Sequence, residues 1–391
     1  MFIERRLTQQ INAQRDKFPI LAITGPRQSG KTTLLRRLFE GYEYVTLENP
    51  DSRQFAEADP VGFLDRYERH AIFDEVQRVP QLFSYIQGRV DESGLMGQYI
   101  LSGSQNFHLL KSITQSLAGR VALFKLLPLD FPELISKQLL AGDYTTAAVN
   151  GAYPAIFDRG IQPHIFYTNY VQTYVEKDVT ELLNVRDTRQ FRQFLALCAG
   201  RAGQLLNISA LSNECDIAFN TAKAWLSVLE SSYLIFFLQP YYQNRNKRLI
   251  KTPKLYFYDT GLLCHLLGIK TADQLETDRL KGSVFENMII AEYQKRNFHL
   301  YEHHDFSFWQ DSSGNEIDLL WQEGRTYNAV EVKATKTITN ELFKQLDKFE
   351  AQAQGAIPVP IRKILVYGGY DNQRRTHYEV KSWRTATEGR P

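Results

Sequence analysis

Cysteine and surplus charge are both scarce in this sequence of 391 residues. The three cysteines, Cys198, Cys215 and Cys264, have no C-x-x-C spacing and cannot all pair, which fits a reducing cytoplasm. The same spacing argues against a structural zinc site. A net charge of only +2 gives no global polycation that would indicate nucleic acid. Any basic surface must therefore be local.

Long apolar runs are absent as well. No run reaches the length of about 18 apolar residues that a membrane-spanning helix needs. The first residues, Met1 to Leu7, lack the apolar core of a signal peptide. We therefore expect a cytoplasmic location and no membrane partner. The length predicts two or three domains, and the apolar content of 43% is enough for ordinary cores.

A phosphate-binding motif is present near the N-terminus. The expected nucleotide contacts are Gly25, Pro26, Arg27, Gln28, Ser29, Gly30, Lys31, Thr32 and Thr33. An apolar strand at 19–24 precedes them and an amphipathic helix follows, which is the context that a P-loop requires. Glycine lets the loop turn its N–H groups into one concavity, and the helix N-terminus favours an anion. We expect Lys31 to reach the β- and γ-phosphates of ATP and Thr32 to ligate Mg²⁺.

A second motif downstream indicates hydrolysis. The apolar stretch 70–73 leads into Asp74 and Glu75, which is typical of a Walker B element. We expect Asp74 to hold the Mg²⁺ shell and Glu75 to orient or activate the attacking water. The alternative is a strand that merely ends in acidic residues, but the P-loop upstream favours the functional interpretation.

Two further residues are candidates for responding to the nucleotide. The strand 98–104 ends in Ser104, followed by Gln105, and a polar tip beside the Walker B strand can sense the γ-phosphate. We favour Ser104 over Gln105, the alternative being an ordinary turn. Arg120 precedes the strand 121–126 and is a candidate to stabilise the γ-phosphate, in its own subunit or across a homo-oligomer. The alternatives for Arg120 are an ordinary surface arginine and a partner for a carboxylate.

The middle of the chain predicts a winged helix. Two helices, at 207–212 and 220–230, precede a strand at 232–238. The densest basic cluster of the chain follows: Arg245, Lys247, Arg248, Lys251 and Lys254. Clustered cations beside a winged helix indicate contact with the phosphates of DNA. The alternative is that this wing contacts protein or ATP instead.

Acidic residues recur in the C-terminal region. A helix carries Glu286, a strand is expected near 298–303, and two later strands carry Asp318, Glu331 and Lys333. This E…D…ExK layout is typical of the PD-(D/E)xK nuclease-like core. Because alternate strand residues share a face, Lys333 lies beside Glu331 and can position a water and stabilise phosphate charge. Glu286, Asp318 and Glu331 would hold a second Mg²⁺ or Mn²⁺. The alternatives are a charge pair on an exposed strand and a nuclease-like fold without activity.

With these residues in hand, the chain resembles predicted AAA+-type ATPases of bacteria and archaea whose C-terminal half is a domain of unknown function. The stretches that carry the resemblance are 25–32, 47–51, 73–75, 101–104, 117–120, 127–129, 151–154, 174–178 and 254–262. They span nearly the whole chain. The resemblance implies an ATPase core of the AAA+ or related signal-transduction type. Ala152 departs from the family pattern, which usually has a second glycine there.

The predicted fold class is α/β, in three domains. A P-loop parallel-sheet ATPase domain is expected at 1–140, a helical and winged-helix domain at 141–270, and an α/β restriction-endonuclease-like domain at 271–391. We expect Mg²⁺-dependent ATP hydrolysis to drive or gate the C-terminal module, which has DNA as its indicated partner. The alternative is an ATP-gated switch or scaffold that binds a protein partner and carries an inactive nuclease-like fold.

Overall fold

A computed structural model describes residues 2–104, 116–140, 142–175, 188–241, 252–353 and 360–388. The chain forms two compact units. The first comprises Met1–Leu129 together with the short segments Ser231–Tyr233 and Phe298–Tyr301, and the second comprises the remainder. The three-domain division at 140 and 270 stays a prediction.

The first unit is built on a parallel sheet of five strands. The strands are β1 (Ile20–Thr24), β2 (Glu43–Thr46), β3 (Ala71–Asp74), β4 (Tyr99–Gly103) and β5 (Val121–Lys125). The helices are α1 (Leu7–Arg15), α2 (Lys31–Leu38), α3 (Pro50–Ala58), α4 (Pro60–Arg66) and α5 (Leu82–Ser93), with a 3-10 turn at Val76–Arg78. The strand order is β2-β3-β4-β1-β5, and all neighbours run parallel. Since parallel strands end at one edge, the residues that follow β1, β3 and β4 meet there.

Burial explains why these segments form this sheet. Every residue of β1 and β4 is buried, as expected for a parallel sheet covered on both faces. Leu34 and Leu35 of α2 pack in one apolar cluster with Ile23 of β1. Phe73 of β3 packs in a second cluster with Leu101 of β4. The predicted α/β class with a parallel P-loop sheet is confirmed.

The second unit begins with helices and a strand hairpin. The helices are α6 (Phe131–Ile135), α7 (Tyr144–Asn150), α8 (Pro154–Asp158), α9 (Pro163–Tyr170), α10 (Thr188–Ala199), α11 (Ile208–Glu214) and α12 (Phe219–Ser231), with a π-helical turn at Val171–Val175. Strands β6 (Ile235–Pro240) and β7 (Lys254–Phe257) then pair antiparallel. Two helices followed by a strand are the order predicted here, but the winged-helix assignment stays a prediction. Arg245, Lys247, Arg248 and Lys251 lie outside the described residues.

The rest of the second unit extends that hairpin into a mixed sheet of eight strands. Its elements are α13 (Thr260–Leu266), α14 (Ala272–Thr277), α15 (Lys281–His299), β8 (Ser307–Gln310), β9 (Glu316–Glu323), β10 (Thr326–Lys333), α16 (Lys344–Ala353), β11 (Ile361–Tyr367), β12 (Gln373–Arg374) and β13 (Glu379–Ser382), with 3-10 turns at Asn340–Phe343 and Trp383–Thr385. The order is β12-β13-β11-β10-β9-β8-β6-β7. Because β6 pairs in parallel with β8, one sheet contains strands from both sides of position 270.

Two sequence-based expectations are wrong locally. The strand expected near 298–303 is absent, because α15 continues to His299 and Asn297 then hydrogen-bonds the backbone of His304 in both directions. The sequence also predicts a helix at 1–18 with Arg5 on its solvated face, but only 4% of Arg5 is exposed. Tertiary contacts override local propensity in both cases.

Within the described ranges, no helix is both long enough and apolar enough to cross a membrane.

Candidate functional site

The loop between β1 and α2 depends on two glycines. Gly25 has φ +149°, and a Cβ there would lie 2.1 Å from the Leu126 carbonyl oxygen. Gly30 has φ +94° and immediately precedes the first residue of α2. A side chain at either position would strain the backbone. At Gly25 it would also collide with the carbonyl of Leu126, the residue directly after β5. The loop therefore has the tight, backbone-lined form that phosphate binding requires.

Lys31 folds back onto this loop. Its Nζ donates hydrogen bonds to the carbonyl oxygens of Gly25 and Pro26, each at 2.8 Å. Burial lowers the pKa of Lys31 to about 8, although the nearby carboxylates of Glu75 and Asp74 oppose that shift. The ammonium is thus desolvated and held by neutral acceptors, which anionic phosphate oxygens can replace.

Asp74, at the end of β3, accepts hydrogen bonds on both carboxylate oxygens. Thr32 Oγ1 donates to Oδ2 at 3.0 Å, and the Tyr44 hydroxyl donates to the same oxygen at 2.6 Å. Ser102 Oγ and the Glu75 backbone N–H donate to Oδ1. Burial and the bond to Asp74 raise the pKa of Tyr44. Tyr44 and Ser102 were missed from the sequence, since only the strand order brings β2 and β4 beside β3.

Glu75 adopts a left-handed backbone conformation with φ +54°. Its Oε2 accepts hydrogen bonds from the Ser104 backbone N–H at 3.3 Å, from Ser104 Oγ at 3.0 Å and from Gln77 Nε2. A non-glycine residue in this region costs about 1–3 kcal/mol and tends to mark functional positions. The structure therefore joins Ser104 directly to Glu75. Gln105 lies outside the described residues.

The donor set fits a phosphate and a magnesium ion. Ser29 Oγ is buried and has no hydrogen-bond partner among the described residues, so the loop contains an unmet polar group. Thr32 and Asp74 place a hydroxyl and a carboxylate side by side, and oxygen ligands are those that Mg²⁺ prefers. Arg5 supports the loop from behind by donating to the Ser29 carbonyl at 2.8 Å and the Leu127 carbonyl at 2.6 Å.

The other predicted residues of this site are more peripheral. Arg27 Nη1 lies 3.8 Å from Glu48 Oε1. Gln28 has a left-handed backbone conformation with φ +61°, and Thr33 is exposed. Arg120 is at the opposite edge of the sheet, because its carbonyl accepts from Ile20 at the start of β1. Its side chain binds Asp91 at 2.6 and 2.8 Å. The structure does not bring Arg120 to the P-loop of its own chain, so a role across subunits stays a prediction.

In the second unit, the predicted acidic residues do converge. Oxygens of Glu286, Glu316 and Asp318 lie within 4.8 Å of one another. The register that places Val330 opposite Leu319 also brings Glu331 next to Asp318, which accepts the Val332 N–H at 2.7 Å. Lys333 Nζ lies 2.5 Å from Glu331 Oε1. This group of residues is called the carboxylate cluster below, and it comprises Glu286, Glu316, Asp318, Glu331, Lys333 and Lys254.

Crowding and burial control the charges of the carboxylate cluster. Burial and the Asp318 charge raise the pKa of Glu286 to about 7 and that of Glu331 to about 8. Glu331 Oε2 is buried without a hydrogen-bond partner in the described part of the chain. The cluster thus contains an unmet acceptor, and when all its carboxyl groups are ionised it carries more negative charge than its lysines neutralise, which suits a cation.

Lys254 and Glu316 correct the sequence interpretation of this region. Lys254 was grouped with the basic wing, but it is only 3% exposed and contacts Glu286 and Glu316. Burial alone would lower the pKa of Lys254, and the surrounding carboxylates raise it instead. Glu316 was missed because nothing in the sequence distinguishes it from an ordinary acidic residue at a strand end.

Two family stretches meet at Asp259. Its Oδ2 accepts the Ala152 N–H at 2.8 Å, and its Oδ1 accepts the Tyr167 hydroxyl at 2.6 Å. A Cβ on Gly151, which has φ +65°, would lie 1.9 Å from that hydroxyl. Gly151 is therefore required by packing. Ala152 contributes its backbone N–H to this site, and that hydrogen bond does not depend on the side chain.

Comparisons with known proteins support this description of the first unit. Residues 17–135 match the family described as an AAA domain. Residues 141–273 and 281–385 match two domains of unknown function, DUF8612 and DUF4143. The phosphate-binding loop and this match define the region as an AAA domain of the P-loop ATPase class.

Whole-chain relatives are also found. An uncharacterised protein of Mycobacterium tuberculosis is 30% identical over 343 residues, covering 86% of this chain and 75% of that protein, and one of Mycobacterium bovis gives the same values. An uncharacterised Haemophilus influenzae protein is 25% identical over 328 residues, covering 75% of this chain and 80% of that protein. Among solved structures, a Walker-type ATPase of Pyrococcus abyssi is 14% identical with a TM-score of 0.45, covering 68% of this chain and 96% of that one. The chain belongs to the family of the uncharacterised mycobacterial proteins.

Proposed function

We propose that the first unit binds ATP with Mg²⁺ and hydrolyses it. The observation that carries this proposal is the 3.0 Å contact between Thr32 Oγ1 and Asp74 Oδ2, directly beside the phosphate-binding loop. A hydroxyl and a carboxylate from the two motifs are thereby ready to share one cation. The match of 17–135 to an AAA domain supports the same conclusion.

The residues have distinct roles in this mechanism. The loop backbone and Ser29 Oγ bind phosphate oxygens, and Lys31 exchanges its two carbonyl acceptors for them. Thr32 and Asp74 hold Mg²⁺, which when bound neutralises charge on the phosphates. Glu75 orients a water molecule and accepts its proton, while Ser104 fixes the Glu75 carboxylate in place.

Steady-state ATP hydrolysis by four proteins tests the proposal. We expect Lys31→Ala to lose ATP binding and Glu75→Gln to bind ATP but to hydrolyse it at least about a hundredfold more slowly, the lower range for a lost general base. Lys17→Ala, an exposed lysine in the same unit, should match the wild type. Equal rates in all four would overturn the proposal. Tight nucleotide retention with negligible turnover in the wild type would favour the ATP-gated switch.

We propose as a second function that the carboxylate cluster binds a divalent metal ion and cleaves phosphodiester bonds in DNA. The supporting observation is the convergence of Glu286, Asp318, Glu331 and Lys333. The element order also supports it, because α15 is followed by three antiparallel strands, β8 to β10, and by α16 and the parallel strand β11. A bound metal ion would activate water and polarise the phosphate.

Incubation with linear, nicked and single-stranded DNA in Mg²⁺ or Mn²⁺ tests this second function. We expect cleavage by the wild type and by Asp371→Ala, which removes an exposed carboxylate of the same unit. Cleavage should be lost in Asp318→Ala and in Lys333→Met. Cleavage that survives Asp318→Ala would exclude this site. If none of the proteins, the wild type included, cleaves DNA, a partner-binding scaffold is favoured.

A further inference from the structure

A lysine already contacts the oxygens that the second proposed function assigns to a metal. Lys254 Nζ donates to Glu316 Oε1 and lies 3.4 Å from Glu286 Oε1, with 4% of its side chain exposed. Glu286 and Glu316 are two of the three residues whose oxygens lie within 4.8 Å of one another. The ammonium therefore occupies the place where one cation would serve several carboxylates.

The charges of the cluster indicate that Lys254 does not complete it. Four carboxylates, those of Glu286, Glu316, Asp318 and Glu331, face the two lysines Lys254 and Lys333. With all groups ionised, the cluster keeps two negative charges. Glu331 Oε2, on a residue that is 1% exposed, is a buried oxygen of this cluster that has no hydrogen-bond partner in the described ranges. The cluster thus retains an unmet demand for positive charge.

We propose that Lys254 is the resident cation of the carboxylate cluster and that a divalent metal ion binds there by displacing its Nζ from Glu286 and Glu316. The proposal rests on the metal site of the second proposed function. An ammonium and a divalent ion on the same carboxylate oxygens repel strongly in a buried site, so they compete. Lys254 thereby sets the metal concentration at which the cluster fills.

The surroundings of Lys254 suit such an exchange. Tyr256, two residues along β7, donates its hydroxyl to the same Glu286 oxygen at 2.6 Å. Glu286 therefore keeps a hydrogen bond after the ammonium leaves. Glu316 likewise keeps the bond from Gln310 Nε2 at 3.0 Å. These neutral donors hold both carboxylates in position for a metal. Lys254 and Tyr256 belong to the stretch 254–262 that carries the family resemblance, and the proposed ATP hydrolysis assigns no role to that stretch.

Mn²⁺ titration of the nucleotide-free full-length protein, followed by electron paramagnetic resonance of free Mn²⁺, tests the exchange. The site in question is the one that Asp318→Asn removes. We expect Lys254→Met to bind Mn²⁺ at that site at least tenfold more tightly than the wild type. Lys363→Met is the matched control, because Lys363 is also a buried, ion-paired lysine of the second unit but pairs with Asp347 and Glu350. Its affinity for Mn²⁺ should equal that of the wild type.

The outcomes separate this inference from the metal site itself. Equal or weaker Mn²⁺ binding by Lys254→Met, at a site that Asp318→Asn still removes, overturns the displacement and leaves the metal site standing. If Asp318→Asn removes no site from any of the proteins, both the metal site and the displacement are wrong.

A second measurement needs no substitution and covers the case in which Lys254→Met does not fold. Reductive methylation of wild-type lysines is followed at each peptide by mass spectrometry, with and without Mn²⁺. A displaced Lys254 becomes accessible, so its methylation should accelerate several-fold in Mn²⁺ while that of Lys363 stays constant. A Lys254 methylation rate that does not change when Mn²⁺ fills the site overturns the proposal.

Discussion

The phosphate-binding site of the first unit and the carboxylate cluster of the second both bury a lysine beside carboxylates, but they balance the charges differently. Lys31 donates to two carbonyl oxygens, and burial lowers its pKa to about 8. Lys254 contacts Glu286 and Glu316, and those charges raise its pKa. The first lysine is therefore available to an anion, whereas the second is already committed to anions. One site is prepared for a phosphate and the other for an exchange of cations.

The largest effect that tests this comparison is expected when each lysine is replaced and the free energy of unfolding is measured. Lys254→Met leaves Glu286 and Glu316, whose side chains are 20% and 24% exposed, without their cation. Breaking such a mostly buried pair costs about 3 kcal/mol, the lower end of the range for buried ion pairs. Lys31→Met removes a desolvated ammonium from neutral acceptors and should cost far less. All four tryptophans, Trp225, Trp309, Trp321 and Trp383, belong to the second unit, so their fluorescence in a urea titration reports the unfolding that Lys254→Met affects. Circular dichroism in the same titration also follows the first unit, which contains Lys31.

The control for this stability measurement is Lys363→Met. Lys363 is 7% exposed in its side chain, but its partners Asp347 and Glu350 are 50% and 42% exposed and stay hydrated without it. We expect a loss under about 1 kcal/mol there, typical of a partly exposed ion pair. If Lys254→Met and Lys363→Met lower the free energy of unfolding equally, Lys254 stabilises the protein no more than a partly exposed ion pair does.

The next largest effect is expected at Gly25, on the phosphate side of the comparison. Gly25→Ala forces a Cβ to within 2.1 Å of the Leu126 carbonyl oxygen at φ +149°. Backbone strain and overpacking together cost about 2–5 kcal/mol, and the loop must shift to relieve them. ATP affinity should fall at least about thirtyfold by isothermal titration calorimetry.

Gly41→Ala provides the matched control for the loop. Gly41 also has a positive φ, +94°, but a Cβ there meets nothing within 4 Å. It should lose some stability and keep its ATP affinity. An unchanged affinity in Gly25→Ala would mean that the loop does not need this close backbone approach.

These two sites also differ in how far the sequence predicted them. The P-loop and Asp74-Glu75 are contiguous motifs at strand ends, so parallel pairing alone brings them together. Tyr44 and Ser102, which complete the Asp74 site, were not predicted, because a local sequence pattern does not reveal the order of strands in the sheet. The burial of Lys254 could not be predicted for the same reason. A lysine in a basic stretch of sequence gives no indication that it will pair with carboxylates distant in the chain.

The pKa of Lys31 gives a smaller, pH-dependent contrast. Below pH 8 the ammonium is charged and attracts the phosphates, and above that pH the free protein loses the charge. ATP affinity should therefore be constant below pH 8 and fall by up to about tenfold per pH unit above it. Fluorescence titration with ATP between pH 7 and pH 9.5 measures this. Lys31→Arg, whose guanidinium stays charged, should bind more weakly but without this slope, and an equal slope would assign the titration to another group.

The smallest effect is expected at Tyr44, whose hydroxyl shares Asp74 Oδ2 with Thr32. If Tyr44 holds the carboxylate for Mg²⁺, Tyr44→Phe loses one hydrogen bond to a charged group, about 1.5 kcal/mol, which is roughly a tenfold effect. That loss should appear as a higher Mg²⁺ concentration for half-maximal ATP hydrolysis, with the maximal rate at saturating Mg²⁺ nearly unchanged. Tyr42→Phe is the control, because its hydroxyl donates to the Gly97 carbonyl and not to Asp74. A lower maximal rate with the Mg²⁺ requirement unchanged would instead mean that Tyr44 acts on the hydrolytic step, so that the neutral donors around Asp74 do more than hold the cation site in place.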